Sequence, residues 1–215
     1  VVTYSSGNHG QGVARAARLL GTRAVVVMPE GAPAIKAARV EADGAEIIWV
    51  GPSSDERQHV AEAIAVERGL AVIPPFDDDR IIAGQGTVGL EIAEDLPDLG
   101  AVVIPIGGGG LASGIAVAVR ALRPSARIVG VEPELAPTLT QALAAGRPVD
   151  AEAGGIAADS LAPRRVGELM FGRFVDLALK AKSQKISTLS LVPPMINKYY
   201  IADLAPDLRK IVEAL

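Results

Sequence analysis

Two short stretches hold most of the residues able to do chemistry. The first is Ser5-Ser6-Gly7-Asn8-His9-Gly10-Gln11-Gly12. It gathers hydroxyls, an amide and an imidazole among glycines that leave the backbone accessible. The second is Pro105-Ile106-Gly107-Gly108-Gly109-Gly110-Leu111-Ala112-Ser113-Gly114. Consecutive glycines let a backbone approach a ligand closely, with its amides turned inward. Each stretch follows an apolar β-branched run and opens an Ala-rich amphipathic one, so each reads as the turn from a strand into a helix. Amides at a helix N-terminus receive anions. Open α/β sheets bind their ligands at this end of the strands.

The tetraglycine does not complete a dinucleotide fingerprint. Gly107 and Gly109 could begin one, but its third glycine falls on Ala112, and no Walker Lys is present. It reads as a phosphate cup for a smaller cofactor. For the first stretch the competing explanation is a Ser or Asn helix cap with a tight turn. The density of donors and the presence of His9 favour an anion site.

The remaining polar residues suggest structural roles. His59 lies on the solvated face of an amphipathic helix, and Arg57 near the start of that helix reads as a surface charge. Asp77-Asp78-Asp79 resembles a metal-binding run, but loop acids usually cap the next helix. Gln85 and Thr87 fall at an expected helix start and read as caps. Glu132 ends a strand. Asp159 has apolar neighbours, which favours a hydrogen-bonded role. Arg164 and Arg165 read as surface.

The elements that must position these residues alternate. Strands are expected at Val1–Tyr4, Ala24–Met28, Glu46–Val50, Ala71–Ile73, Ala101–Pro105 and Arg127–Glu132. Helices are expected at Gly10–Leu20, Ala34–Ala42, Asp55–Arg68, Gly86–Asp95, Leu111–Leu122 and Thr138–Ala144. Val25-Val26-Val27 and Val102-Val103-Ile104 are apolar on consecutive residues, as in parallel strands covered on both faces. The expected class is α/β with helices on both faces of the sheets. Pro74-Pro75-Phe76 separates two blocks, giving units of 1–76 and 77–179. From Lys180 the character changes, and only Asp207–Leu215 there has helical spacing.

Composition narrows the classes. The 215 residues include no Cys, which excludes disulfides, thiolate metal sites and a Cys nucleophile. A net charge of −4, with one Trp, three Tyr and three Phe, argues against a nucleic-acid partner. No apolar run has the length of a membrane span.

With the motifs placed, the chain resembles the serine/threonine dehydratase and serine racemase family. Ser5 to Gly12, Gly84-Gln85-Gly86-Thr87, Pro105 to Leu111 and Val131-Glu132-Pro133 carry the resemblance, in family order. Ala157-Ala158-Asp159-Ser160-Leu161-Ala162 followed by Arg164-Arg165-Val166-Gly167 resembles its bacterial dehydratase branch. The family consists of pyridoxal-phosphate enzymes of fold type II, with parallel-rich, open twisted sheets. The resemblance implies dehydration and deamination of L-threonine or L-serine to a 2-oxo acid and ammonia. Its alternatives are serine racemisation, or a non-catalytic remnant that at most binds the cofactor.

The resemblance also implies roles. Gly107, Gly108, Gly109, Gly110 and Leu111 would hold the cofactor phosphate, with Asn8 on the ring hydroxyl and Phe76 beside the ring. Ser5, Ser6, Asn8 and His9 would surround the substrate carboxylate, and Arg57 would lie near it. Ser6 would be the acid/base on one face of the substrate. Phe76 stands where dehydratases carry Phe and racemases Asn. Glu132 and the Ala136 carbonyl match two ligands of the racemases' divalent-cation site, whose third acid position holds Thr138.

Two departures follow from the same comparison. The family's Schiff-base lysine lies on a segment before the position of Val1, and Lys36, Lys180, Lys182, Lys185, Lys198 and Lys210 do not have its context. The family's Gly-rich C-terminal segment is not matched by residues 180–215, which read as a divergent tail. The chain is therefore expected to be a truncated piece of a longer enzyme, inactive alone, whose intact parent is a homodimer. Absence of Cys and of a targeting pattern points to the cytoplasm.

Overall fold

Val25, Val26, Val27 and Met28 are all buried, and their side chains alternate between two separate apolar layers. In the computed structural model, which describes residues 1–152, 154, 163–172 and the backbone of 188–191, they form a central strand. The elements of this half are β1 (Val2–Tyr4), α1 (Asn8–Leu19), β2 (Val25–Pro29), α2 (Ala34–Ala42), β3 (Glu46–Val50) and α3 (Ser54–Arg68). The strands are parallel in the order β1-β2-β3, with Val2 beside Val25 and Val25 beside Glu46. Val26 and Met28 pack with Ala14, Ala17, Ala37 and Val40 of α1 and α2. Val25 and Val27 pack with Ala61 and Ile64 of α3. The consecutive apolar run thus follows from helices on both faces.

The second half contains α4 (Asp79–Asp95), β4 (Ala101–Pro105), α5 (Gly110–Leu122), β5 (Arg127–Pro133), α6 (Thr138–Ala145) and β6 (Thr188–Leu191). Its sheet is also parallel, in the order β4-β5-β6. Val102, Ile104 and Ile128 meet Ala112, Ile115, Ala116 and Val119 of α5 in one core. Among the described residues no helix is long and apolar enough to cross a membrane.

Several expectations need correction. Val103 is 41% exposed, so β4 is not covered on both faces. The Ala71–Ile73 strand reduces to one bridge between Val2 and Val72. The helix expected from Gly86 begins at Asp79, with Asp78 as its N-cap. Gln85 and Thr87 are therefore mid-helix rather than caps, and the Thr87 hydroxyl donates back to the Gly84 carbonyl at 2.7 Å. Gly86 has a packing reason: a Cβ there would meet the Gly114 carbonyl oxygen of α5 at 3.4 Å. β6 falls in the stretch where no strand is expected and pairs with the last residues of β5. Asp159 and Asp207–Leu215 lie outside the described residues.

Candidate functional site

The two glycine-bearing turns singled out in the sequence each lead from a strand into a helix with no capping side chain, a property α2 shares after β2. α1 follows β1 through Ser5, Ser6 and Gly7; its N-cap is Gly7 and its first turn holds no acid. α5 follows β4 through the tetraglycine; its N-cap is Gly109 and its first turn also holds no acid. By contrast, α3 takes a hydrogen bond on the Ser53 side chain and α4 one on Asp78. The uncapped first turns of α1 and α5 present backbone donors and the positive ends of the helix dipoles. Two parallel sheets thus offer two anion-receptive turns, each at the carboxyl end of a strand.

The tetraglycine is shaped by what surrounds it. Gly107, Gly108, Gly109 and Gly110 are all buried. The Gly108 carbonyl accepts the Gly167 N–H at 3.0 Å, and the Gly109 carbonyl accepts the Ser113 N–H at 2.9 Å. The Gly107 carbonyl accepts the Thr138 hydroxyl at 3.2 Å. Across a trans peptide the N–H points opposite to the C=O. Two of these carbonyls are tied off from outside the loop, by Thr138 and Gly167, and the third makes the first hydrogen bond of α5, so each peptide plane has its C=O fixed and its N–H on the opposite edge. Gly109 has φ of +91°, and a Cβ there would also approach the Met170 sulfur at 2.7 Å. A Cβ on Gly110 would meet the Phe76 Cα at 2.9 Å, and one on Gly108 would run into the Phe76 ring. A glycine turn with no charged side chain of its own, at the start of a helix, is chemically suited to a phosphate-bearing group.

The other candidates sort by position. Ser5 and Ser6 are half-buried beside α1, and the Ser5 Oγ accepts the Gly7 N–H at 3.1 Å. Asn8 is exposed at the first position of α1. His9 Nε2 lies 3.3 Å from the Ile73 carbonyl, which also accepts the Thr3 hydroxyl at 2.6 Å. Burial lowers the His9 pKa, and the bond to Ile73 only partly offsets it. The neutral imidazole with its proton on Nε2 is the form this geometry holds. Burial, then Glu62 and Asp77, push the Tyr4 hydroxyl up to about 12. Arg57 is half-buried and donates to the Pro52 carbonyl at 2.7 Å; its pKa is lowered by burial, against the pull of Asp55 and Glu56. His59 is exposed. Arg164 and Arg165 are exposed, and Arg165 pairs with Asp150 at 2.9 Å.

The Glu132 carboxylate and the Ala136 carbonyl are both hydrogen-bonded within the protein. One carboxylate oxygen of Glu132 accepts the Leu139 N–H at 2.5 Å and the Thr138 hydroxyl at 3.1 Å. The other accepts the Thr140 N–H at 2.9 Å and the Thr140 hydroxyl at 2.8 Å. The Ala136 carbonyl accepts the Thr138 N–H at 3.0 Å. Among the described residues no three His, Cys, Asp or Glu side chains gather as a metal would need. Glu132 is the acceptor for the first turn of α6.

Of the residues around the tetraglycine, Met170 carries no signal in the sequence, Asp77 stands out there only within its acidic run, and Thr138 only as the third position of a cation site.

The class these features define is a parallel α/β protein with a glycine turn after β4 and a hydroxyl-rich turn after β1. A family model described as pyridoxal-phosphate dependent enzyme matches residues 1–184. The chain belongs to the pyridoxal-phosphate dependent enzyme family. It is 40% identical over 190 residues to the L-threonine ammonia-lyase of Thermotoga maritima, covering 87% of this chain and 47% of that protein. It is 43% identical over 161 residues to the serine racemase of Oryza sativa subsp. indica, covering 75% and 48%. Among solved structures, the processed form of threonine deaminase isoform 2 from Solanum lycopersicum matches with a TM-score of 0.77 at 38% identity, covering 89% and 54%. The chain spans about half the length of these two curated relatives.

Proposed function

We propose that the protein carrying this chain converts L-threonine or L-serine to a 2-oxo acid and ammonia. The observation that carries the reading is the pair of uncapped helix starts, α1 after β1 and α5 after β4. One suits the phosphate of a cofactor and the other the carboxylate of an amino acid. The similarity to L-threonine ammonia-lyase supplies the substrate class.

When bound, pyridoxal phosphate supplies the electron sink for α-proton loss. The amides from Gly107 to Leu111 hold its phosphate. Asn8 would hydrogen-bond its ring hydroxyl, and Phe76, which packs on Gly108, would stand beside the ring. Ser5, Ser6, Asn8 and His9 receive the substrate carboxylate and orient the α-hydrogen. Arg57 supplies positive charge near that end. Ser6 holds or moves a proton at the α-carbon. In this reading residues 1–76 form the substrate-side unit and 77–179 part of the cofactor-side unit, in a cytoplasmic homodimer.

Serine racemisation is the second reading, favoured by the 43% identity to a serine racemase. Assaying the cofactor-loaded protein separates the two. Dehydratase function yields 2-oxobutyrate from L-threonine, or pyruvate from L-serine, with ammonia in equal amount. D-serine as the main product from L-serine replaces it with the racemase reading, and no turnover of either amino acid overturns both.

A further inference from the structure

The Thr138 hydroxyl reaches the first carbonyl of the tetraglycine loop from a position far along the chain. Thr138 is 0% exposed and Glu132 1% exposed, so this contact lies wholly inside the protein. Thr138 Oγ1 stands 3.2 Å from the Gly107 carbonyl and 3.1 Å from a Glu132 carboxylate oxygen. Glu132 is itself fixed by the Leu139 and Thr140 amides and the Thr140 hydroxyl. Glu132 therefore fixes the backbone around Thr138 through the Leu139 and Thr140 amides, and the single hydroxyl proton of Thr138 is shared, as a three-centre bond, between the Glu132 oxygen and the Gly107 carbonyl.

A glycine peptide rotates easily, because no Cβ restricts it. The plane joining Gly107 to Gly108 needs an outside partner if it is to keep one orientation. Its C=O and N–H point in opposite directions. Holding the Gly107 oxygen at Thr138 therefore aims the Gly108 N–H to the other side of the loop, where the phosphate cup lies. The next plane is held in the same way, by the Gly167 N–H on the Gly108 carbonyl at 3.0 Å.

We infer that Thr138, braced by Glu132, is a positioning residue for the phosphate site: it fixes the 107–108 peptide so that the Gly108 amide is a ready donor. The inference rests on the phosphate reading of the tetraglycine. It gives Glu132 and Thr138 a joint role in anion binding that needs no cation between them. Pre-set donors bind an anion more tightly than donors that must first be ordered.

The test measures binding, independent of turnover. Pyridoxal phosphate and, separately, inorganic phosphate are titrated into the full chain and into Thr138→Val and Thr138→Ser by calorimetry. Thr138→Val keeps the shape and removes the hydroxyl; Thr138→Ser keeps the hydroxyl. The expected result is a five- to twenty-fold rise in Kd for both probes in Thr138→Val, and a Kd within two-fold of wild type in Thr138→Ser. A folded Thr138→Val that binds as wild type does overturns this inference and leaves the phosphate reading standing. A wild-type chain that binds neither probe overturns both. Should Thr138→Val not fold, 15N-glycine spectra of the wild-type chain decide. Phosphate should shift the Gly108 amide downfield, and an unmoved Gly108 amide at saturation overturns the inference.

Discussion

Asp77 and Glu168 are 91 residues apart in sequence, and Oδ2 of Asp77 accepts the Glu168 backbone N–H at 3.0 Å. Oδ1 accepts the Leu169 N–H at 3.0 Å. One carboxylate thus satisfies two of the orphan donors that open the helical turn at 168–172. Its negative charge stands at the positive end of that turn. A Cβ on Gly167 would meet the Asp77 carboxyl carbon at 2.7 Å, so glycine is needed for the approach. The same turn sends Gly167 N–H to the Gly108 carbonyl and packs Met170 against Gly109. The back of the tetraglycine loop is therefore pinned by an acid from the connection between the two sheets.

Replacing that acid should loosen the turn. Asp77→Ala removes both acceptors and is expected to lower unfolding stability by about 1 kcal/mol, the usual cost of losing a cap. Urea denaturation measures it. Hydrogen exchange gives the local signature: the Glu168 and Leu169 amides should exchange faster in the variant, while β2 amides keep their protection relative to global stability. Unaltered exchange at both residues would contradict the capping role.

Substitutions in the glycine loop should separate backbone strain from crowding. Gly109→Ala forces an L-residue into the left-handed region, at a cost of about 1–2 kcal/mol, and drives a methyl into Met170. Gly108→Ala has no such backbone penalty but collides with the Phe76 ring. Shortening the ring as Phe76→Ala should therefore recover part of the stability lost in Gly108→Ala and none of that due to strain in Gly109→Ala. Double-mutant cycles on thermal unfolding check this. Equal rescue of both glycine variants would show that crowding by Phe76 is not the specific cause.

The legible parts of this protein are those governed by neighbours in sequence. β3, α2 and β4 carry the bounds that their apolar patterns predict, because period and punctuation are local signals. The helix expected from Gly86 took Gln85 and Thr87 for caps, whereas α4 begins at Asp79. The close approach of α4 and α5, where a Cβ on Gly114 would meet the Gly86 nitrogen at 2.5 Å, is a contact absent from any sequence window. Asp78 did cap the next helix, with its pKa held down to about 2 by the Arg80 hydrogen bonds. Its neighbour Asp77 caps a distant turn instead, and nothing in the Asp-Asp-Asp run distinguishes the two. The turn from β4 into α5 at the tetraglycine was legible from its glycine content. What ties its carbonyls back was not, since Thr138 and Gly167 reach it only through the fold.

His9 predicts a pH dependence with a definite sign. Its folded pKa is lowered from the ordinary 6.5, chiefly by desolvation, so the unfolded chain takes up the proton first as pH falls. The stability tied to neutral His9 is fully present above about 6.5 and drains away as pH drops from there toward the folded value. His9→Gln should flatten the pH slope of unfolding stability in that window. NMR titration of His9 should place its midpoint below 6.5. A midpoint above that value, or an unchanged slope in His9→Gln, would refute the buried-neutral assignment.

Ser6 and the tetraglycine should fail in different ways, since one is proposed to serve the reacting carbon and the other the phosphate. Ser6 stands half-buried between β1 and α1, outside the loop that forms the cup. Ser6→Ala in the protein carrying this chain should leave the Kd for pyridoxal phosphate within about two-fold. A positioned acid or base contributes roughly 10²–10⁴-fold, so a reaction that needs the Ser6 proton should slow by that order. Formation of D-serine requires proton delivery to the opposite face and should show the full loss. Elimination from L-threonine returns no proton to that face and should be affected through substrate orientation, raising KM more than it lowers kcat. Gly108→Ala should do the reverse, weakening cofactor binding before any effect on the bound complex is seen. If Ser6→Ala weakens pyridoxal phosphate binding as much as Gly108→Ala does, the two sites are not functionally separate, and Ser6 belongs to cofactor retention rather than to proton transfer.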